Sequence, residues 1–113
     1  MSITTHVLDT SCGRPAAGVD VMLERQDNDT GEWTVLGRGA TDADGRLRTL
    51  SDGVELNGGT HRITFAVGAY FSAQGKDGFY PMVQVVFAVT AAGEHYHVPL
   101  LLSPFGYSTY RGS

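Results

Sequence analysis

The 113 residues carry eight Lys or Arg against twelve Asp or Glu, a net charge of −4, and this length is one domain, residues 1–113. No basic face is implied, so nucleic acid and anionic membrane are poor partners, and the one cysteine, Cys12, excludes an internal disulfide framework. The uncharged stretch Gly78 to Gly93 is interrupted by Pro81, Gln84 and Thr90 and is too broken to span a bilayer. No charged and then apolar leader pattern opens the sequence, so a cytoplasmic protein is expected.

Fifteen glycines, near twice the usual ~7 %, fall between short apolar runs, as turns do in a β protein. Ile3 to Leu8 alternates weakly and breaks at Asp9–Pro15. Val19, Val21 and Leu23 alternate with polar or flexible residues, the pattern of a half-buried strand. Asp27 to Gly31 is a turn, Trp33 to Thr41 a strand, and Asp42-Ala43-Asp44-Gly45 a tight turn. Leu47 to Leu50 is expected as a short strand. Ile63, Phe65 and Val67 recur with period two, and Ser72 to Lys76 is the expected helical turn. Val83, Val85, Phe87 and Val89 form the clearest strand. Ala92-Gly93 turns, His95 to Leu102 runs extended, Ser103 to Gly106 turns, and Tyr107 to Tyr110 follows. Seven or eight short strands without long helices predict an all-β, antiparallel two-sheet sandwich.

Within His95–Leu102, Tyr96, Val98, Leu100 and Leu102 share one face and suit a core. The other face carries His95, His97, Pro99 and Leu101. His6 and Leu8 likewise share a face opposite Val7. Histidine beside leucine on a non-core face suits a subunit interface or a pocket wall. His6, His95 and His97 have a spacing that permits a three-histidine zinc site, though exposed or interface histidines explain them more simply. A neutral histidine can instead take a proton from water, and Arg46, just past Asp44-Gly45, can hold an oxyanion. Ser108 near histidines suggests a Ser–His nucleophile, but no glycine-flanked elbow surrounds it. Cys12 beside Arg14 reads as an incidental thiol.

Four blocks carry a resemblance: Thr5–Thr10, Gly13–Ala16, Thr41–Arg46 and His95–Thr109, followed by Tyr110-Arg111-Gly112-Ser113. In order and content they resemble the 5-hydroxyisourate hydrolases of the transthyretin-related family, over nearly the whole chain. The resemblance implies a transthyretin-like (prealbumin-type) sandwich of two four-stranded sheets with one short helix. It also implies a homotetramer, a dimer of dimers, with active sites in the channel between dimers.

The family's functional positions fall on His6, Arg46, His97 and the tetrapeptide Tyr110, Arg111, Gly112 and Ser113, with Ser108 beside them as a further substrate-binding position. The activity implied is hydrolysis of 5-hydroxyisourate to 2-oxo-4-hydroxy-4-carboxy-5-ureidoimidazoline in urate degradation, with no metal or organic cofactor. His97 is assigned as general base, His6 as its partner in orienting water or sharing the proton, and Arg46 as binder of the flat heterocycle and its developing negative charge. The reverse division between His6 and His97 stays open. The competing expectation is a non-catalytic transthyretin-like carrier of a small aromatic ligand.

Overall fold

The computed structural model describes residues 2–90 and 94–113; the expected turn at Ala92-Gly93 lies outside them. Nine strands and one helix follow in order: β1 (Ser2–Asp9), β2 (Arg14–Pro15), β3 (Asp20–Gln26), β4 (Trp33–Ala40), β5 (Arg46–Leu47), β6 (Gly59–Phe65), α1 (Val67–Ser72), β7 (Val83–Val89), β8 (His95–Ser103) and β9 (Gly106–Thr109). One sheet runs β2-β1-β8-β9 with β5 also on β1, and the other runs β4-β3-β6-β7.

The sandwich is as expected, and the first sheet holds five strands rather than four. The physical reason is local. β2 pairs with Leu8 and Asp9 and β5 pairs with Thr5 and His6, so two fragments share the edge of β1 that β8 leaves free. β5 stops at Leu47, short of the expected Leu50. The pairing of β1 with β8 is parallel, Ser2 opposite His95 through Asp9 opposite Leu102, whereas the other strand pairs are antiparallel. Parallel neighbours need a long crossover, and everything from β2 to β7 supplies it.

Period two sorts the side chains as the alternation predicts. Ile3 and Val7 of β1 and Leu100 and Leu102 of β8 are wholly buried against Leu23, Ile63 and Phe65 of the facing sheet. Each such side chain contributes about 1.5–3 kcal/mol on burial. On the far side of the second sheet, Arg62 pairs with Glu24 at 2.9 Å and lies 4.1 Å over the Trp33 ring.

Helix α1 starts five residues before the expected helical turn. Val67 and Phe71, both buried, sit one turn apart and turn a single apolar face to the sandwich, so Val67 opens the helix instead of extending β6. The expected segment contains the close of the helix. Gly75 adopts φ 67° there, the left-handed conformation that ends helices, and Lys76 N–H donates to the Phe71 carbonyl.

Candidate active site

The outward face of the first sheet gathers the residues that the sequence singles out. β5 places Arg46 directly opposite His6. β8 places His97 opposite Thr4 and Pro99 opposite His6, which makes His6 and His97 diagonal neighbours, about 8 Å apart at Cα from strand spacing and rise. Leu8 and Leu101, each half-buried, face one another at the end of this row.

Arg46 and His6 are fixed by one turn. The Asp42 carboxylate accepts from the backbone N–H of Asp44 (2.9 Å) and of Arg46 (3.0 Å). These bonds, that of Arg46 foremost, hold the carboxyl below its ordinary range. Gly45 takes φ 75°, and a Cβ there would stand 2.3 Å from the Val7 carbonyl oxygen, so a side chain is excluded on both counts. The turn then presents the Asp44 carbonyl to Nε2 of His6 at 2.9 Å. A carbonyl only accepts, so Nε2 carries a proton, and the nitrogen left to offer a lone pair is Nδ1.

His97 is held differently. Its Nδ1 lies 2.8 Å from the Thr4 hydroxyl, which also reaches Nε2 of His95 at 3.2 Å. Nδ1 of His95 lies 2.5 Å from the Ser2 hydroxyl, and the two imidazoles stack with centroids 6.3 Å apart. Burial holds His97 below the ordinary histidine range, and the charges of His95, His6 and Arg46 act in the same direction. A half-buried imidazole that stays neutral in this way can accept a proton at neutral pH.

The tail runs against His97 and Pro99. Beyond β9 the chain keeps the register in which Leu100 faces Thr109, so that Gly112 bridges His97 and its N–H donates to the His97 carbonyl at 2.8 Å. Tyr110 falls between these points, opposite Pro99, and is exposed. Ser113 follows, also exposed. Pro99 is buried although its face points outward, because the tail lies across it. Arg111 stands apart from the row. Its guanidinium pairs with Glu94 at 3.0 Å and lies 4.6 Å over the Tyr96 ring, a ring on the inward side of β8. Ser108 faces Leu101, four residues along β8 from His97 and so roughly 13 Å from it. That is too far for a nucleophile–base hydrogen bond with His97 in one chain. His95 commits both ring nitrogens to hydroxyls, and among the described residues no three His, Cys, Asp or Glu side chains are grouped to hold a metal ion. Cys12 is exposed and free, away from this row.

Thr4 and the Asp44 carbonyl are the parts that sequence reasoning missed. The turn signal at Asp42–Gly45 pointed to the second. The first depends on a parallel register that no local pattern encodes.

The model of the HIUase/Transthyretin family matches residues 3–112. The chain belongs to that family. Within the HIUase/Transthyretin family, a protein from Salmonella typhimurium named 5-hydroxyisourate hydrolase is 48 % identical over 98 % of this chain and 80 % of its own. The solved structure of Klebsiella pneumoniae 5-hydroxyisourate hydrolase superposes with a TM-score of 0.83 at 38 % identity, covering 99 % of this chain and 93 % of that one. Sea bream transthyretin in complex with thyroxine superposes with a TM-score of 0.92 at 34 % identity, covering 99 % and 95 %. Backbone likeness therefore does not separate the named hydrolase from the thyroxine-bound transthyretin within the HIUase/Transthyretin family. The side chains must.

Proposed function

We propose that the row of Arg46, His6 and His97 hydrolyses 5-hydroxyisourate to 2-oxo-4-hydroxy-4-carboxy-5-ureidoimidazoline, a step of urate degradation. The enzyme is a hydrolase of a cyclic amide C–N bond. The observation that carries the reading is a neutral, hydroxyl-anchored His97 on the same open face as a guanidinium. A carrier needs neither. The higher identity to named hydrolases than to the thyroxine-bound transthyretin supports the same choice.

Water loses a proton to Nε2 of His97 as it attacks the ring carbonyl. Arg46 donates to the oxygen on which negative charge develops. The C–N bond opens, and the departing ring nitrogen takes the proton back from His97. His6, with its proton fixed on Nε2, offers Nδ1 to orient the water. General base and oxyanion terms are each worth about 10²–10³-fold. Tyr110, Ser108, Gly112 and Ser113 border the substrate, and Arg111 contributes through the tail that it pins. No metal or organic cofactor takes part.

The proposal includes a homotetramer, a dimer of dimers, that closes the outward face over the substrate. Supporting it are Leu8 and Leu101, apolar beside the histidines, and the open edges of β7 and β9, where Val86 is 58 % and Tyr107 42 % exposed. Sedimentation as a monomer at micromolar concentration would remove this part. The proposal also includes a cytoplasmic location, in keeping with the free thiol of Cys12, which a reducing compartment preserves.

The test is the ultraviolet absorbance of freshly generated 5-hydroxyisourate. Its decay is expected to accelerate in proportion to added protein. Unchanged decay, with ligand retained stoichiometrically, would select the carrier.

A further inference from the structure

The hydroxyls of Ser2 and Thr4 and the rings of His95 and His97 form one unbroken chain: Ser2 Oγ to His95 Nδ1 at 2.5 Å, His95 Nε2 to Thr4 Oγ1 at 3.2 Å, and Thr4 Oγ1 to His97 Nδ1 at 2.8 Å. A hydroxyl has one proton to give, and a neutral imidazole has one N–H and one lone pair. The chain therefore has two self-consistent arrangements. In one, His97 donates from Nδ1 to Thr4, Thr4 donates to His95, and His95 donates to Ser2. In the other, every bond is reversed and Nε2 of His97 carries the proton.

Only the first arrangement leaves Nε2 of His97 with a lone pair. We propose that Thr4 and His95 are positioning residues that hold His97 in its base-competent tautomer, an inference that rests on His97 being the general base. Thr4 accepts the Nδ1 proton of His97 because its own proton has an acceptor in His95. His95 works at one remove, through the hydroxyl, and touches no reacting atom. This gives the first His of His-Tyr-His a purpose distinct from that of the second. It also separates the two histidines of the row. The carbonyl of Asp44 fixes His6 permanently, whereas the tautomer of His97 is set by a hydroxyl that another side chain must polarise.

The test combines a tautomer readout with kinetics on four variants. Thr4→Val keeps the shape and removes the hydroxyl; Thr4→Ser restores a hydroxyl. His95→Phe keeps a stacking ring without an acceptor, on an exposed side chain whose loss leaves folding intact. His97→Asn assigns the His97 signals. Imidazole ¹⁵N spectra of the wild-type protein are expected to show His97 protonated at Nδ1. Thr4→Val and His95→Phe are expected to move it toward the Nε2–H form and to lower kcat by about 10-fold or more, on the scale at which loss of a histidine's outer hydrogen-bond partner acts in metal sites. KM is expected to stay within about twofold, because neither residue touches substrate. Thr4→Ser recovers most of kcat.

A wild-type His97 protonated at Nε2 overturns the inference. So does wild-type kcat in both Thr4→Val and His95→Phe while His97→Asn is inactive. The failure of the hydrolase reading itself looks different: wild-type protein leaves the decay of 5-hydroxyisourate unchanged, whatever the spectra show.

Discussion

Gly112 lies against the ring of His97 so closely that a Cβ on it would stand 2.6 Å from Cδ2 of the imidazole and 3.1 Å from Cγ of Pro99. The tail thus rests flat on the edge of the ring next to Nε2, and only glycine allows it.

Gly112→Ala is therefore expected to lift the tail, break the Gly112 N–H bond to the His97 carbonyl and displace the ring. No core side chain is touched, so stability is expected to change by less than about 1 kcal/mol. Turnover is expected to fall about 10-fold or more, since small misplacements of a base are costly. Thermal melting and the absorbance assay on one preparation check both, and full turnover would show that the tail does not position His97.

His97→Asn and Arg46→Ala are expected to lower turnover by about 10²-fold or more and to leave the fold intact. Leu100→Ala is the control. Leu100 is wholly buried, so its truncation is expected to cost roughly 2–5 kcal/mol. If His97→Asn melts as early as Leu100→Ala, His97 serves the fold rather than the reaction. If it retains full activity, His6 becomes the base.

Gly45→Ala tests the turn. The new methyl would meet the Val7 carbonyl in a backbone conformation of φ 75°, so β5 is expected to detach from β1. The Asp44 carbonyl then leaves Nε2 of His6, and Arg46 loses its register. About 1–3 kcal/mol of stability and most of the turnover are expected to go together. A variant that melts as the wild type does and still turns over would refute this account of the turn.

Stability is expected to fall on mild acidification, and His61 supplies part of the reason. Its Nδ1 donates to the Gly59 carbonyl at 3.0 Å, while Nε2 is buried with no partner among the described residues. Burial holds the ring below the ordinary histidine range despite the raising effect of Gly59, and Arg25 adds to the lowering. The unfolded chain takes up this proton near pH ~6.5, the folded chain only at lower pH. Stability therefore rises with pH across that interval and is lost as pH falls through it, by at most about 1.4 kcal/mol per pH unit for each proton. His97, also lowered, acts in the same sense. Urea midpoints between about pH 7.5 and about 5.5 are expected to show the slope, and His61→Leu to flatten it. An equal slope in His61→Leu would assign the effect elsewhere.

Period two within 95–102 is enough to place Tyr96 and Leu100 inward and His97 and Leu101 outward, because a strand has only two faces. The same alternation puts His6 and Leu8 on a common face. What the pattern does not carry is which strands lie side by side. Thr4 reads as one more β-branched residue until the parallel register sets it against His97. Pro99 has the outward parity of its neighbours yet is buried, because the tail returns over it. Arg111 belongs to the tail by sequence and to Glu94 and Tyr96 by geometry, since successive residues of an extended segment point to opposite sides. The helix is misplaced in the sequence reading because Val67 continues the alternation of β6, and only its pairing with Phe71 across one turn reveals the change of period.

The parallel ladder between β1 and β8 has a consequence for the order of synthesis. A ribosome completes His6, the Asp42–Gly45 turn and Arg46 early, but the strand that carries His97 follows some ninety positions after its partner. Until β8 emerges, β1 has only the two-residue strands β2 and β5 as neighbours in its own sheet. Contacts this distant along the chain form slowly. The nascent protein therefore carries part of its chemistry on a strand paired only with these two short fragments, and fold and site are completed in the same late event.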